Sequence, residues 1–331
     1  MKKGENAMRG TMRLAIALAA IALSVGSARA EGLAKISIVV FGPPSLGAFL
    51  PPVIKAQKLD EKNGLSINFQ ERTPDAYTAQ FNSGEFSVGG SAALLSIGLA
   101  DVRGVKVTYL FNLFDYWGGV VTSHEDIQTI KDLEGKDIAA AKGTTNYVMF
   151  DWFARQLGAD TSKFSVVNTA TPGLIGYALA DRATAVQLWE PAYTALHAKM
   201  PGIRMLDLKI VDSWEKATGS RNIPYLGVAA HAAWVTQNGK LIPNLYATYK
   251  QAAEWVATNP EEAARLIAIR GGEEEKKAIT ELVRANDRLG MNVKWASDVA
   301  NEIRSVYSAG RSIAFLPSEP SSETIYSGPK Q

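Results

Sequence analysis

Thr129-Ile130-Lys131-Asp132-Leu133-Glu134-Gly135-Lys136-Asp137-Ile138-Ala139-Ala140-Ala141-Lys142-Gly143-Thr144-Thr145-Asn146 switches pattern twice within a short span. A charged turn through Gly135-Lys136 gives way to an apolar strand expected over 137–141. Gly143-Thr144-Thr145-Asn146 then opens a helix. Its residues Tyr147, Phe150, Phe153, Ala154 and Leu157 fall at i, i+3 and i+4 spacings, which predicts one buried face. Gly158 fits its C-terminal stop. Strand, polar turn and helix make the repeating unit of an α/β fold.

The same alternation extends outward. Downstream, strands are expected over 165–168 and 183–188 around a helix at 173–179. Upstream, the β-branched run at 35–41 and the alternating run at 65–70 read as strands. A short helix at 77–83, a strand at 86–88, a helix at 92–100 and a strand at 105–110 follow. The expectation is two α/β lobes, each a mostly parallel sheet covered on both faces by helices. From about residue 240 the chain reads as mainly helical. Asn259-Pro260-Glu261-Glu262 is a strong helix start, and further helices are expected near 273–288 and 297–309. The Ser/Pro-rich tail from Leu316 is expected to fray.

The chain has 331 residues, of which 47% are hydrophobic and 21% charged, enough for about two domains with a sizeable core. A net charge of +2 lacks the basic excess of a nucleic-acid binder. There is no cysteine, which excludes disulfides, thiolate metal sites and a cysteine nucleophile. Lys2, Lys3, Arg9 and Arg13 precede an apolar run at 14–25, and Ala28-Arg29-Ala30 follows it. That run is too short to span a bilayer and has the pattern of an export signal cleaved after Ala30. Met8 or Met12 also fits as the start.

Several further segments carry a resemblance: Val40-Phe41-Gly42-Pro43-Pro44, Val88-Gly89-Gly90-Ser91, the opening at 130–139 with Gly143-Thr144-Thr145, and Trp189-Glu190-Pro191. In this order and spacing the mature chain resembles the periplasmic solute-binding proteins of ABC importers, in the nitrate/sulfonate/taurine and thiamine-pyrimidine-precursor group. The resemblance implies lobe I at 31–118 and 226–331, lobe II at 119–225, and hinge crossovers near 116–121 and 223–228. It also implies a periplasmic location, a permease and ATPase complex as partner, no cofactor and no metal. A monomer is expected.

Ligands of open α/β sheets bind beyond the carboxyl ends of the strands. This selects Phe41, Gly42, Gly90, Ser91, Asn112, Phe114, Tyr116 and Trp117 in lobe I, and Thr144, Thr145, Asn146, Gln187, Trp189 and Glu190 in lobe II. Thr144, Thr145 and Asn146 are either an anion site at a helix N-terminus or a plain N-cap; in sulfonate-type relatives this position holds the anionic head. Gly90 and Ser91 either let backbone approach a ligand or make a tight turn. Phe41, Phe114, Tyr116 and Trp117 either sandwich a flat ring or form core. Glu190 either accepts from a ligand amino group or pairs with a basic residue across the cleft. Tyr225 is a lesser candidate. No arginine lies in these strand-end loops, which favours an aromatic, heterocyclic or singly charged ligand over a multiply charged anion.

The three histidines, His124, His197 and His231, have no metal-ligand spacing, and no nucleophile-elbow or phosphate-loop sequence occurs. The resembling fungal enzymes that make the thiamine pyrimidine carry a cysteine-rich motif that this chain lacks. The expected function is capture of a small organic ligand and its delivery to an importer, not catalysis. An exported sensor, or an enzyme on the same fold, is the alternative. N-terminal sequencing of the exported protein should begin at Glu31; a retained N-terminus would refute the signal.

Overall fold

The computed structural model describes residues 32–269 and 271–330. The export signal and its cleavage site lie outside the described residues. The strands are β1 (Ala34–Phe41), β2 (Leu65–Arg72), β3 (Val88–Ala93), β4 (Val107–Asp115), β5 (Gly119–Thr122), β6 (Asp137–Ala140), β7 (Ser165–Asn168), β8 (Ala185–Leu188), β9 (Arg204–Leu206), β10 (Pro224–His231) and β11 (Met291–Trp295). They form two sheets, of order β11-β4-β10-β3-β1-β2 and β7-β6-β8-β5-β9.

Both sheets are flanked by helices, and both are mixed. β1 is parallel to β2 and β3, whereas β10 is antiparallel to β3 and β4, and β11 to β4. In the second sheet β6 is parallel to β7 and β8, and β5 is antiparallel to β8 and β9. Most strands in each sheet therefore share one direction. The exceptions are β5, β10 and β11. For β5 and β10 the physical reason is their point of entry. Each receives the chain from the other sheet, through residues 116–118 or from Ile223, and starts where the co-directional strands end. A parallel entry would need a crossover of a dozen or more residues.

One sequence expectation is displaced and two are narrowed. The strand expected to stop at 110 runs on to Asp115, and much of the expected crossovers is strand, in β5 and β10. Short apolar runs containing glycine have no period that separates connection from strand. The link itself is tighter: Tyr116 N donates to Ile223 O at 2.7 Å, joining outgoing and returning chain. β11, the small β9 and the helix Ile210–Thr218 were not legible in the pattern.

The helix Thr145–Gln156 is buried on more than one face. Tyr147, Phe150 and Ala154 pack into a hydrophobic cluster with the second sheet. Val148, Met149, Trp152 and Phe153 belong to the large cluster built on the first sheet, with Trp214 and Tyr116.

The tail does not fray. Leu316, Thr324, Ile325 and Tyr326 are buried. Asp101 accepts from the Ser321 amide at 2.7 Å and the Ser321 hydroxyl at 3.2 Å. Tyr326 N donates to Tyr109 O at 3.0 Å, and the Tyr326 ring stacks on Trp295 at 5.9 Å. Ile325 bridges Tyr109, below the stretch of β4 that pairs with β11. Serine and proline dominate the composition and mask these few apolar anchors. Tyr326→Ala should lower the unfolding free energy by about 3 kcal/mol in a urea titration; a loss under about 0.5 kcal/mol, the size of a surface substitution, would show that the tail adds nothing.

Candidate functional site

The carboxyl ends of β1, β3 and β8, the 116–118 link and the start of the helix Thr145–Gln156 converge along one seam. Asn146, fully buried, is its centre. Gln187 Nε2 donates to Asn146 Oδ1 at 2.5 Å, Asn146 Nδ2 donates to Trp117 O at 3.5 Å, and Tyr116 Oη donates to Asn146 O at 3.4 Å. Tyr225 meets the Asn146 side chain, and burial pushes the Tyr225 phenol up to about 12 although Asn146 pulls it down. A Cβ on Gly118 would lie 2.5 Å from Tyr116 Oη and 2.9 Å from Asn146 Oδ1, so only glycine lets these groups meet. Tyr116 stacks on Phe153 at 5.6 Å and meets Tyr225 edge-on at 5.8 Å.

On the first-sheet side, Phe41 N donates to Ser91 Oγ at 2.9 Å, so Ser91 ties the end of β1 to β3. Phe41 meets Tyr77 edge-on at 4.7 Å. A cavity of about 30 Å³ lies between Phe41, Tyr77, Phe81 and Ser96. Ser96 Oγ and Thr145 Oγ1 are 3.1 Å apart, a hydroxyl bridge from the helix Leu94–Val102 to the helix Thr145–Gln156. Tyr77 Oη is buried, makes no hydrogen bond of good geometry and lies near the Ser91 amide. Sequence reasoning passed over Tyr77 and Ser96 because both sit on helices. The (i, i+4) pair Tyr77/Phe81, four residues apart on the helix Pro74–Asn82, was the available signal.

Other predicted residues are committed to the scaffold. Thr144 accepts from Tyr147 N at 3.2 Å and donates to Ala141 O at 2.8 Å, which is the N-cap alternative. A Cβ on Gly90 would lie 2.7 Å from Tyr249 Oη, so this glycine answers to packing. Gly42 N continues the ladder to Arg72 O at 3.0 Å. Asn112 and Phe114 are core, because β4 runs on through them. Asn112 Oδ1 accepts from Tyr109 Oη and Tyr225 N, and its amide donates to Asp115 and Asn292 O, leaving nothing for a ligand. Phe114 is fully buried against Phe49. Trp189 packs in the core of the second sheet, while Trp117 remains half-buried opposite Tyr193 at 5.6 Å.

Glu190 follows its pairing alternative. Its Oε1 accepts from Arg288 Nε at 2.9 Å and its Oε2 from Thr194 N at 3.0 Å. Burial pushes its pKa up, while Thr194 and Arg288 pull it down. The Arg288 guanidinium also lies 5.4 Å from the Tyr193 ring. An arginine thus reaches the seam from the far end of the chain, beyond the helix Glu273–Ala285. A rule restricted to strand ends cannot find it.

Asp115 ends β4 beside the link. It accepts from Asn292 Nδ2 at 2.7 Å and Asn112 Nδ2 at 3.0 Å. Burial raises its pKa to about 6 against these bonds and nearby Lys294. Among the described residues no cluster of side chains suited to a metal ion occurs.

Residues 55–263 match the NMT1/THI5-like family. The chain belongs to that family. No curated protein matches it. Among solved structures it is similar to the periplasmic aliphatic sulphonate binding protein SsuA of Escherichia coli, at 17% identity and a TM-score of 0.70, covering 90% of this chain and 93% of that one. It is also similar to the alkanesulfonate-binding SsuA of Xanthomonas axonopodis pv. citri bound to MOPS, at 16% identity and a TM-score of 0.70, covering 88% and 98%. A Candida albicans protein with the generic periplasmic binding protein fold matches at 17% identity and a TM-score of 0.58, covering 84% and 90%. At these identities the likeness establishes the fold: this chain has the periplasmic-binding-protein architecture.

Two outcomes are expected. Arg288→Ala strands a buried carboxylate and should cost about 2 kcal/mol near neutral pH, less than a fully buried pair because Arg288 is one-third exposed. Wild type and variant should converge in acid, where Glu190 is protonated; a pH-independent difference in calorimetry would refute the pairing role. For Asp115, a native pKa above the unfolded value near 3.9 means the native state holds the extra proton between about 4 and about 6. Stability contributed by this group therefore falls as pH rises through that window. Asp115→Asn should flatten that slope, read as melting temperature against pH.

Proposed function

We propose that the chain is an exported, non-enzymatic solute-binding protein that captures a small organic ligand between two lobes, 31–118 with 226–331 and 119–225. It would deliver that ligand to the permease and ATPase of an ABC importer in the periplasm. The observation that carries this is the convergence at one seam of polar groups from both sheets: Ser96 with Thr145, and Gln187 with Asn146 and Trp117 O. A drug-sized ligand needs about 300–1,000 Å³. The cavity beside Ser96 holds about 30 Å³ and is lined only by residues between 41 and 97, so on this reading a ligand held between the lobes enters by their parting and closing again. The neighbouring sulfonate binders support the ligand size and class in coarse terms, as a small organic molecule.

A thermal-shift panel of sulfonates, aromatic acids, amides and pyrimidines should contain a compound that raises the melting temperature, since binding to the native state alone stabilises it. The same compound should shrink the radius of gyration in solution scattering and stimulate the importer's ATPase in reconstituted vesicles. Stabilisation without ATPase stimulation would point to an exported sensor. No shift by any compound at millimolar concentration would sink the binding reading.

A further inference from the structure

The geometry points to Gln187 as a specificity-determining residue of the seam, its side-chain oxygen accepting from an N–H of a neutral, amide- or amino-bearing planar ligand. This inference rests on the solute-binding reading above. Gln187 is fully buried on β8, and its Oε1 has no hydrogen-bond partner. A buried acceptor left unpaired is unfavourable, so such an atom at a strand end calls for a donor from elsewhere.

The orientation of the amide is set by its neighbours. Trp117 O can only accept, which turns Asn146 Nδ2 toward it and Asn146 Oδ1 toward Gln187. Gln187 must then present Nε2 to Asn146, and Leu188 O, a second acceptor at 3.4 Å from Nε2, agrees with this. Oε1 is the atom left over. Reversing Gln187 alone would set two oxygens face to face at hydrogen-bond distance.

The charge pattern agrees. Arg288, which reaches the seam, is held by the Glu190 carboxylate. Thr144 spends its hydroxyl on the Ala141 carbonyl and on capping its own helix. An anionic oxygen brought up to Gln187 Oε1 would meet another acceptor, whereas an N–H would complete the network. Sites built around a hydrogen bond to a ligand N–H or O–H discriminate steeply against analogues without it.

The test uses matched trios on the mature protein, by calorimetric titration: benzamide, benzoate and methyl benzoate; nicotinamide, nicotinate and methyl nicotinate; with benzenesulfonate and taurine as anionic arms. The amide of a trio should bind at least about tenfold tighter than its ester and its acid. Gln187→Met should erase that preference. If Gln187→Met does not fold, the wild-type ranking of amide, ester and acid decides. Tighter binding of benzoate, nicotinate, benzenesulfonate or taurine than of the amides would overturn this proposal and leave the solute-binding reading standing. The same holds if the amide preference survives unchanged in Gln187→Met. Failure of every probe, and of the wider panel, would remove both.

Discussion

Double burial of the helix Thr145–Gln156 constrains how the two sheets can move. Its Tyr147 and Phe150 belong to the second sheet's core, while Val148, Met149, Trp152 and Phe153 are buried in the cluster of the first. Exposing a large apolar side chain costs about 1.5–3 kcal/mol. Releasing these four would cost at most about 6–12 kcal/mol, because Trp152 and Phe153 also pack on Trp214, and that is still comparable with the roughly 8 kcal/mol that a micromolar ligand supplies. Opening that broke this contact would consume the binding energy. The economical motion keeps the aromatic side packed as a pivot and parts the polar side, where Ser96 meets Thr145, Glu190 meets Arg288 and Trp117 faces Tyr193. Water can replace most of those contacts at low net cost.

The pivot is reinforced by hydrogen bonds among the strands that cross. Tyr116 N reaches Ile223 O, Asp115 N reaches Gly290 O, and Asn112 joins Tyr225 to Asn292. Three distant parts of the chain meet at the carboxyl end of β4. Asp115 is held there by amides with Lys294 nearby, and burial dominates its titration against both. Glu190, by contrast, is paired with a cation from a distant part of the chain. The two buried carboxylates therefore differ in kind: Asp115 is held by amides at the link, and Glu190 by a cation across the seam.

Much of the fold was legible. The unit at 129–146 appears as β6 and the helix Thr145–Gln156, because a short apolar strand, a Gly-Thr-Thr turn and a 3.6-residue stripe are local signals. The mixed character of the sheets was not legible, since strand direction follows from where the chain enters a sheet and not from composition. In the site, the strand-end rule brought together Tyr116, Trp117, Thr145, Asn146 and Gln187, which do meet. It also collected Asn112 and Phe114, which are core, because β4 continued past the expected end. Tyr77, Ser96 and Arg288 escaped it, each presented by a helix or by a segment distant in sequence.

The family and the fold leave the chemistry of recognition to a few atoms. Neighbours at 16–17% identity share the backbone path over most of their length, but strand-end side chains can differ without disturbing the sheets that present them. In this chain those positions carry amides, hydroxyls and aromatic rings, and the arginine that arrives comes with its own carboxylate. On the proposed solute-binding function, a seam of that composition would discriminate by directional hydrogen bonds more than by net charge. Its affinity should accordingly depend little on salt, because screening acts on charge and hardly on a buried neutral hydrogen bond.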